Sequence, residues 1–515
     1  MAIAGLPLSD RRLAGEVPAT VARVTPAQWT EAARLVREAG GRLVALWGAD
    51  RREAGDAFSV YAAYATPDGL SVLDLHVAHP DESYPDLSGL FACANRMQRA
   101  VRDLLGLVPD GATDPRPWLR HGAWRPTDYP LRGDFDPEAY RSNAVEAYPF
   151  VRVEGDGVHE IAVGPIHAGV IEPGHFRFSV VGEKVLRLEE RLGYTHKGID
   201  RRFGDFTVAE GYRLAGRCSG DSTVAYAWAY AQAAESLLAV VVPPRARWLR
   251  ALMLEAERIA NHLGDLGALG NDAAFAFALA QFSRLREDWL RLSNRVFGHR
   301  LMMDRVVPGG VAVDVAEEAR EAIAAQAACI EREARDLRDI FDEHSGLQDR
   351  FITAGRVTPD LARALGLVGL AGRASGQALD LRVDFPVEPY TRLAVRKAVH
   401  PAGDVAARVR VRFDELFESL RLVREILAGL PAGEIRVDLP EPRPGAFGVG
   451  WVEGWRGEVF VAVEAGEGGR IRRAHAHDPS WQNWPLVEHA IMGNIVPDFP
   501  LINKSFNLSY SGPDC

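Results

Sequence analysis

The middle of the chain restricts its fold most. Trp248 to Leu263, Phe277 to Phe297 and Val315 to Glu343 each place apolar residues at the i, i+3, i+4, i+7 spacing of a helix with one buried face. Ser222 to Val240 is Ala-rich and helical, and Val409 to Leu427 is a further amphipathic segment. Val315 to Glu343 also interleaves acidic and basic residues, as an exposed helix face does. These segments predict one large, mainly helical unit.

The flanks are of another kind. Residues 1–135 predict a small α/β domain. Arg42 to Trp47 and Phe58 to Ala65 are strand-like, and Ser71 to Val77 alternates after the turn Thr66-Pro67-Asp68-Gly69. Leu90 to Leu105 has helical spacing and stops at Gly106. Residues 136–150 read as a polar linker, and 151–515 as the second domain, with short strands from Val158. Near its end, Val459 to Glu464 and Gly469 to Ala474 predict a hairpin around Gly466-Glu467-Gly468. The expected fold class is α+β, a small N-terminal α/β domain before a large helical domain with short peripheral strands.

A net charge of -10 and the lack of a basic run argue against a nucleic-acid partner. The four cysteines are too scattered for a disulfide framework or a cluster motif, which fits a reducing compartment. The N-terminus has no leader pattern. The longest apolar run, Leu237 to Val242, falls far short of the roughly 20 residues that span a bilayer, so membrane attachment is expected through partners. The Gly pairs at 309–310 and 468–469 read as turns, not as a nucleotide pocket.

Two short stretches carry candidate chemistry. Cys218-Ser219-Gly220-Asp221 and Ser509-Tyr510-Ser511-Gly512 each have the spacing of half a metal clamp. Two Cys-x-x-Cys pairs supply four thiolates to a soft metal, but only one thiol remains at these four positions. Arg217 lies four residues before Asp221, so an ion pair one helical turn long is the simplest expectation for that carboxylate. Cys218 reads as a small buried residue, and Cys515 does not replace a ligand by its spacing. His167 and His196 stand beside turn glycines, where they can donate protons or simply pack on backbone carbonyls. His262 sits on an apolar stripe and reads as structural. Asp498 and Lys504 are candidates to line the same cavity.

The run Gln98-Arg99-Ala100-Val101-Arg102-Asp103-Leu104-Leu105-Gly106-Leu107, with Tyr129-Pro130-Leu131-Arg132, resembles the signature of the complex I 30-kDa-type subunit. Four further runs look like the large-subunit family shared by nickel-iron hydrogenases and complex I. They are Gly164-Pro165-Ile166-His167 with Glu172-Pro173-Gly174-His175-Phe176-Arg177, then Gly193-Tyr194-Thr195-His196-Lys197-Gly198, Glu255 to Leu263, and Gly298-His299-Arg300 with Pro308-Gly309-Gly310. The likeness is nearest to formate hydrogenlyase-like membrane-bound hydrogenases and extends over nearly the whole chain.

That resemblance implies that the four metal-ligand positions fall on Cys218, Asp221, Ser509 and Gly512. A carboxylate, a neutral hydroxyl and a bare glycine do not suit nickel, so no metal is expected. Glu172 falls where the hydrogenases carry a proton-transferring Glu and complex I a quinone-binding His. The quinone Tyr of complex I falls near Gly216 and is absent. Glu172, Asp221 and His167 are then the candidate catalytic residues, with Cys218, Arg217, Ser509 and His196 lining the cofactor cavity. For Glu172 the alternative is a salt bridge with Arg177.

The implied activity is electron transfer to a quinone or similar acceptor, coupled to proton or ion translocation. A non-redox coupling scaffold is the alternative, and a hydrogenase with altered ligands a minor one. No cofactor would be bound by this chain alone. Implied partners are an iron-sulfur small subunit, a ferredoxin-like iron-sulfur subunit and antiporter-like membrane-arm subunits. The chain would then lie at the inner face of the cell membrane.

Overall fold

The structure, a computed structural model, describes residues 3, 6 and 8–515 except 56, 79–81, 139–146 and 166–171. Its N-terminal part is a five-stranded sheet built from β1 (Asp10–Arg12), β2 (Ala19–Val24), β3 (Arg42–Asp50), β4 (Phe58–Thr66) and β5 (Gly69–Val77), in the order β1-β2-β5-β4-β3. β3, β4 and β5 pair antiparallel, and the expected turn after Thr66 joins β4 to β5. The sequence reading did not separate β2, which pairs parallel with β5, or the helix α1 (Pro26–Glu38) that follows it. A capping box between Thr25 and Gln28 starts α1. Helix α2 (Ala94–Leu105) ends at a left-handed Gly106, as expected, but starts later than Leu90.

Three antiparallel strands follow, β6 (Val158–Val163), β7 (His175–Val181) and β8 (Lys184–Arg191). The helical unit contains α3 (Thr223–Leu238), α4 (Pro244–Asp272), α5 (Ala276–Phe297), α6 (Glu317–Glu343) and α7 (Val405–Gly429). Helix α4 runs well past the apolar segment 248–263. Its Glu255, Glu257, Arg258, His262 and Asp265 are all buried, so charge faces inward and the apolar stripe understates the helix.

The last sheet holds β9 (Phe447–Glu453), β10 (Glu458–Ala465) and β11 (Ile471–His477), followed by α8 (Ser480–Ala490) and α9 (Phe499–Phe506). β10 and β11 form the expected hairpin, and β9 is an added strand. The Ala-rich helix α3 lies directly on β9. A Cβ at Gly450 would stand 1.8 Å from the Ala229 carbonyl oxygen, so the small residues on both sides set this close packing.

The N-terminal sheet docks on this last sheet. The Trp47 ring stacks on His475 at 5.3 Å, Gln482 Nε2 donates to Val44 O (2.6 Å), and Arg473 Nε donates to Gly48 O (2.9 Å). One hydrophobic core runs from residues of α1 and α2 through to α8 and α9. Among the described residues, no helix is long and apolar enough to cross a membrane.

Candidate functional site

The two half-clamps meet in space. Cys218 follows a short helical turn, Tyr212–Ala215; Ser219 is extended at φ -141°, and a single 3-10 turn, Gly220–Ser222, leads into α3. This break removes the helical register that an Arg217–Asp221 pair requires. Arg217 instead reaches Asp304 (2.7 and 2.8 Å), and Arg456 grips Asp221 with Nη1 (2.7 Å) and Nη2 (2.6 Å). The expected ion pair is therefore corrected: Asp221 is paired from the β9–β10 connection. Burial works against its charge, but the Arg456 guanidinium outweighs that and holds Asp221 below the usual carboxylate range.

A chain of hydrogen bonds crosses the site. Gly512 N–H donates to Ser509 Oγ (2.9 Å), Ser509 Oγ donates to Ser219 Oγ (3.1 Å), and Ser219 Oγ donates to Asp221 Oδ1 (2.9 Å). The fourth position is filled from elsewhere. A Cβ at Gly512 would meet Asp478 Cγ at 2.5 Å. Asp478 accepts from Tyr226 Oη (2.7 Å) and from Ser480 N (2.8 Å), and burial pushes its carboxyl pKa up. Among the described residues, no group of three or more His, Cys, Asp and Glu is disposed to hold a metal ion.

Glu172 lies at the C-terminal tail, where Oε2 accepts from Tyr510 N (3.2 Å) and Ser511 N (3.1 Å). The alternative salt bridge is not formed, since Arg177 pairs with Glu160 (2.9 Å). His167 lies outside the described residues. His196 shares a 2.9 Å hydrogen bond between Nδ1 and the Asp514 carbonyl, and burial lowers its pKa, so the ring is neutral at pH 7. Asp498 pairs with Arg350 (3.3 Å) near the surface, whereas Lys504 stands 3.9 Å from Asp265.

Sequence reasoning missed Asp514. Its carboxylate accepts from Gly193 N (2.9 Å), Thr195 N (3.1 Å) and Thr195 Oγ1 (2.6 Å), tying the tail to the loop after β8. Burial, with a smaller contribution from the Glu172 charge, pushes its pKa up to about 7. Between the ordinary value of 3.8 and about 7 the folded chain therefore holds a proton that the unfolded chain has released. The associated stability is full below about pH 4 and lost as pH rises to 7. Asp514→Asn stays neutral throughout. Its stability relative to the native protein is expected to improve across that window, by at most about 4 kcal/mol. Denaturant titrations of both proteins at pH 4.5 and 7.5 check this, and a constant difference would refute it.

Cys515, the last residue, is buried, and its thiol donates to Gly512 O (3.4 Å) and Ser511 O (3.8 Å). The influence of the Cys218 thiol, with burial, pushes the Cys515 pKa well up.

Comparison with known proteins agrees with this layout. Residues 22–141 match the family described as respiratory-chain NADH dehydrogenase, 30 Kd subunit, and 269–445 match its 49 Kd subunit family. Formate hydrogenlyase subunit 5 of Escherichia coli is 30% identical, over 93% of this chain and 86% of its own length. The C/D component of the NADH-quinone oxidoreductase of Bacteroides thetaiotaomicron is 27% identical, over 81% of this chain and 84% of its own. A protein in the structure of the membrane-bound sulfane sulfur reductase, an archaeal respiratory membrane complex, superposes with a TM-score of 0.66 at 24% identity. The match covers 70% of this chain and 99% of that one.

Proposed function

Because the chain belongs to the large-subunit family of complex I-type and formate hydrogenlyase-type oxidoreductases, with the 30-kDa and 49-kDa modules fused, we propose that it is the large subunit of a membrane-associated oxidoreductase that works without a nickel-iron centre. It would pass electrons to a quinone or similar acceptor, coupled to proton or ion translocation, and only within its complex.

One observation carries the metal-free reading: the hydrogen-bond chain from Gly512 to the Asp221–Arg456 pair. Both Asp221 oxygens are committed to a guanidinium, and Asp478 stands where a ligand at 512 would project. Those donors do not fit a soft metal bridged by thiolates. In this reading Asp221 is an anchor for the site. Proton handling passes to Glu172 and Asp514, whose charges interact across the tail. Electrons would arrive from an iron-sulfur small subunit, fed by a ferredoxin-like subunit. Antiporter-like subunits would hold the assembly at the inner face of the membrane.

A second reading, a coupling subunit with no redox role, draws on the same observation, since the side chains at the clamp satisfy one another. Metal analysis and EPR of the complex purified with its neighbours separate these readings. We expect no nickel and an iron-sulfur signal that responds to added quinone. Nickel near one atom per chain would overturn the proposal, and absence of both signals would favour the coupling subunit.

A further inference from the structure

We propose that the cavity between the N-terminal domain and β11 is a proton-binding site, in which a bound water joins Asp200, His475 and Trp481 and His475 takes a proton through it. The cavity has a volume of about 30 Å³ and is lined by Gly48 of β3, Met97 of α2, Asp200, His475, Trp481 and Cys515, among others. The three polar residues arrive on different elements: Asp200 on the helical turn Ile199–Arg202, His475 on β11, and Trp481 in the first turn of α8. Each is more than nine-tenths buried, at 7%, 7% and 6% exposure. His475 Nδ1 lies 3.3 Å from Asp200 Oδ2, and Trp481 stacks on His477, two residues along β11 (5.9 Å).

The unused atoms of these residues identify the occupant. Asp200 Oδ1, His475 Nε2 and Trp481 Nε1 are buried without a hydrogen-bond partner among the described residues. Buried polar atoms are rarely left so. Their roles are complementary. An indole N–H only donates and a carboxylate only accepts, and because Asp200 accepts from His475 Nδ1–H, Nε2 carries a lone pair. One donor and two acceptors around one small cavity match a single water, which accepts from Trp481 and donates to His475 and Asp200. A buried water needs roughly 10–15 Å³ of such space and makes about three hydrogen bonds, so the volume and the partners agree.

A line of carboxylate, imidazole and water lets the ring accept a proton at Nε2 while the carboxylate orients it and faces the imidazolium. One proton from solution adds to the ring, and no electron moves. Four charged or titratable groups bear on this step. Burial pushes the Asp200 pKa up, but Arg473 (2.7 Å) and His475 outweigh it and keep Asp200 an anion. Burial lowers the His475 pKa, Asp200 raises it and Arg473 lowers it again, so the ring is neutral at pH 7. His477, with its ring 5.8 Å away, is pushed down to about 3 by burial and stays neutral. The Cys515 pKa lies well up, so that wall is a neutral thiol. β3 and α2 add no charged residue to the lining, and the Trp47 ring, stacked on His475, favours the imidazolium through its face.

Two measurements on the purified complex test the site. In a structure that shows buried waters, a peak is expected within hydrogen-bond distance of Asp200 Oδ1, His475 Nε2 and Trp481 Nε1. Infrared difference spectra between pH 8 and pH 5, with carbon-13-labelled histidine, follow the proton. The native complex should show a conversion of imidazole to imidazolium that is missing in His475→Phe, which keeps an aromatic ring against Trp47. Trp481→Phe leaves the imidazole in place but removes the donor to the water. There the conversion should move to lower pH, because a drier ring holds charge less well. A cavity without a peak, where other buried waters of the chain are seen, would overturn the proposal. So would identical spectra from the native complex and His475→Phe. Neither measurement uses electron transfer, so a failure of the quinone reading leaves this site standing.

Discussion

Glu255→Ala should destabilise the folded chain by more than about 4 kcal/mol. Glu255 is 0% exposed at the centre of α4. Its carboxylate accepts from Tyr390 Oη (2.6 Å), Ser419 Oγ (2.6 Å), Arg382 Nη1 (3.2 Å) and Arg258 Nε (3.4 Å). Alanine would remove the charge that two buried guanidiniums face and orphan two buried hydroxyls. Breaking a buried ion pair from one side costs about 3–5 kcal/mol, and each unsatisfied hydroxyl adds about 1–3. Asp380 still holds Arg382, and the Glu453 and Gly454 carbonyls still hold Arg258, so the sum is partly offset. Glu255→Gln keeps the volume and an acceptor for the hydroxyls and should cost clearly less. Urea titration of the two variants at pH 7 gives the comparison. A loss below about 1 kcal/mol for alanine would mean that the network carries little of the stability.

The same helix shows where sequence reasoning stops. The long helices and the β4–β5 and β10–β11 turns were legible, because apolar spacing and turn residues are local signals. Helix α4 was read short, since its inward charges find partners on distant elements: Glu415 for His262 and Arg412 for Asp265. No spacing rule encodes such pairs. Strand β9 was missed because Gly448 and Gly450, chosen for close approach to α3, weaken its alternation.

At the site, the four clamp positions were legible as a motif, and the structure brings them together. What filled the emptied site was not. Arg456, Asp478 and Asp514 are isolated residues until the fold sets them beside Asp221, Gly512 and Thr195. The Arg217–Asp221 error came from assuming a helix across Ser219 and Gly220, residues suited to breaking one.

Restoring a side chain at position 512 should be damaging for a reason that can be isolated. Gly512 is not among the residues with positive φ, so backbone strain is not the obstacle. The obstacle is Asp478: an added Cβ would lie 2.5 Å from its Cγ and 2.7 Å from both its Cβ and Oδ2. Asp478 cannot simply swing away, because Tyr226 Oη and Ser480 N hold both its oxygens. Gly512→Ala is expected to cost about 1–3 kcal/mol by overpacking, and more if the Tyr226 hydroxyl loses its acceptor. The cost should shrink in Asp478→Ala, where the space is already vacated, giving a favourable coupling of at least about 1 kcal/mol in a double-mutant cycle. Additive effects would show that the two positions do not compete. The same geometry predicts that the triple replacement Asp221→Cys, Ser509→Cys and Gly512→Cys will not recover nickel. It restores four thiols, but it leaves Arg456 facing no carboxylate at 221 and Asp478 against the fourth sulfur. Only the further removal of both side chains would open the volume that a metal needs, so nickel uptake should require Arg456 and Asp478 to change as well.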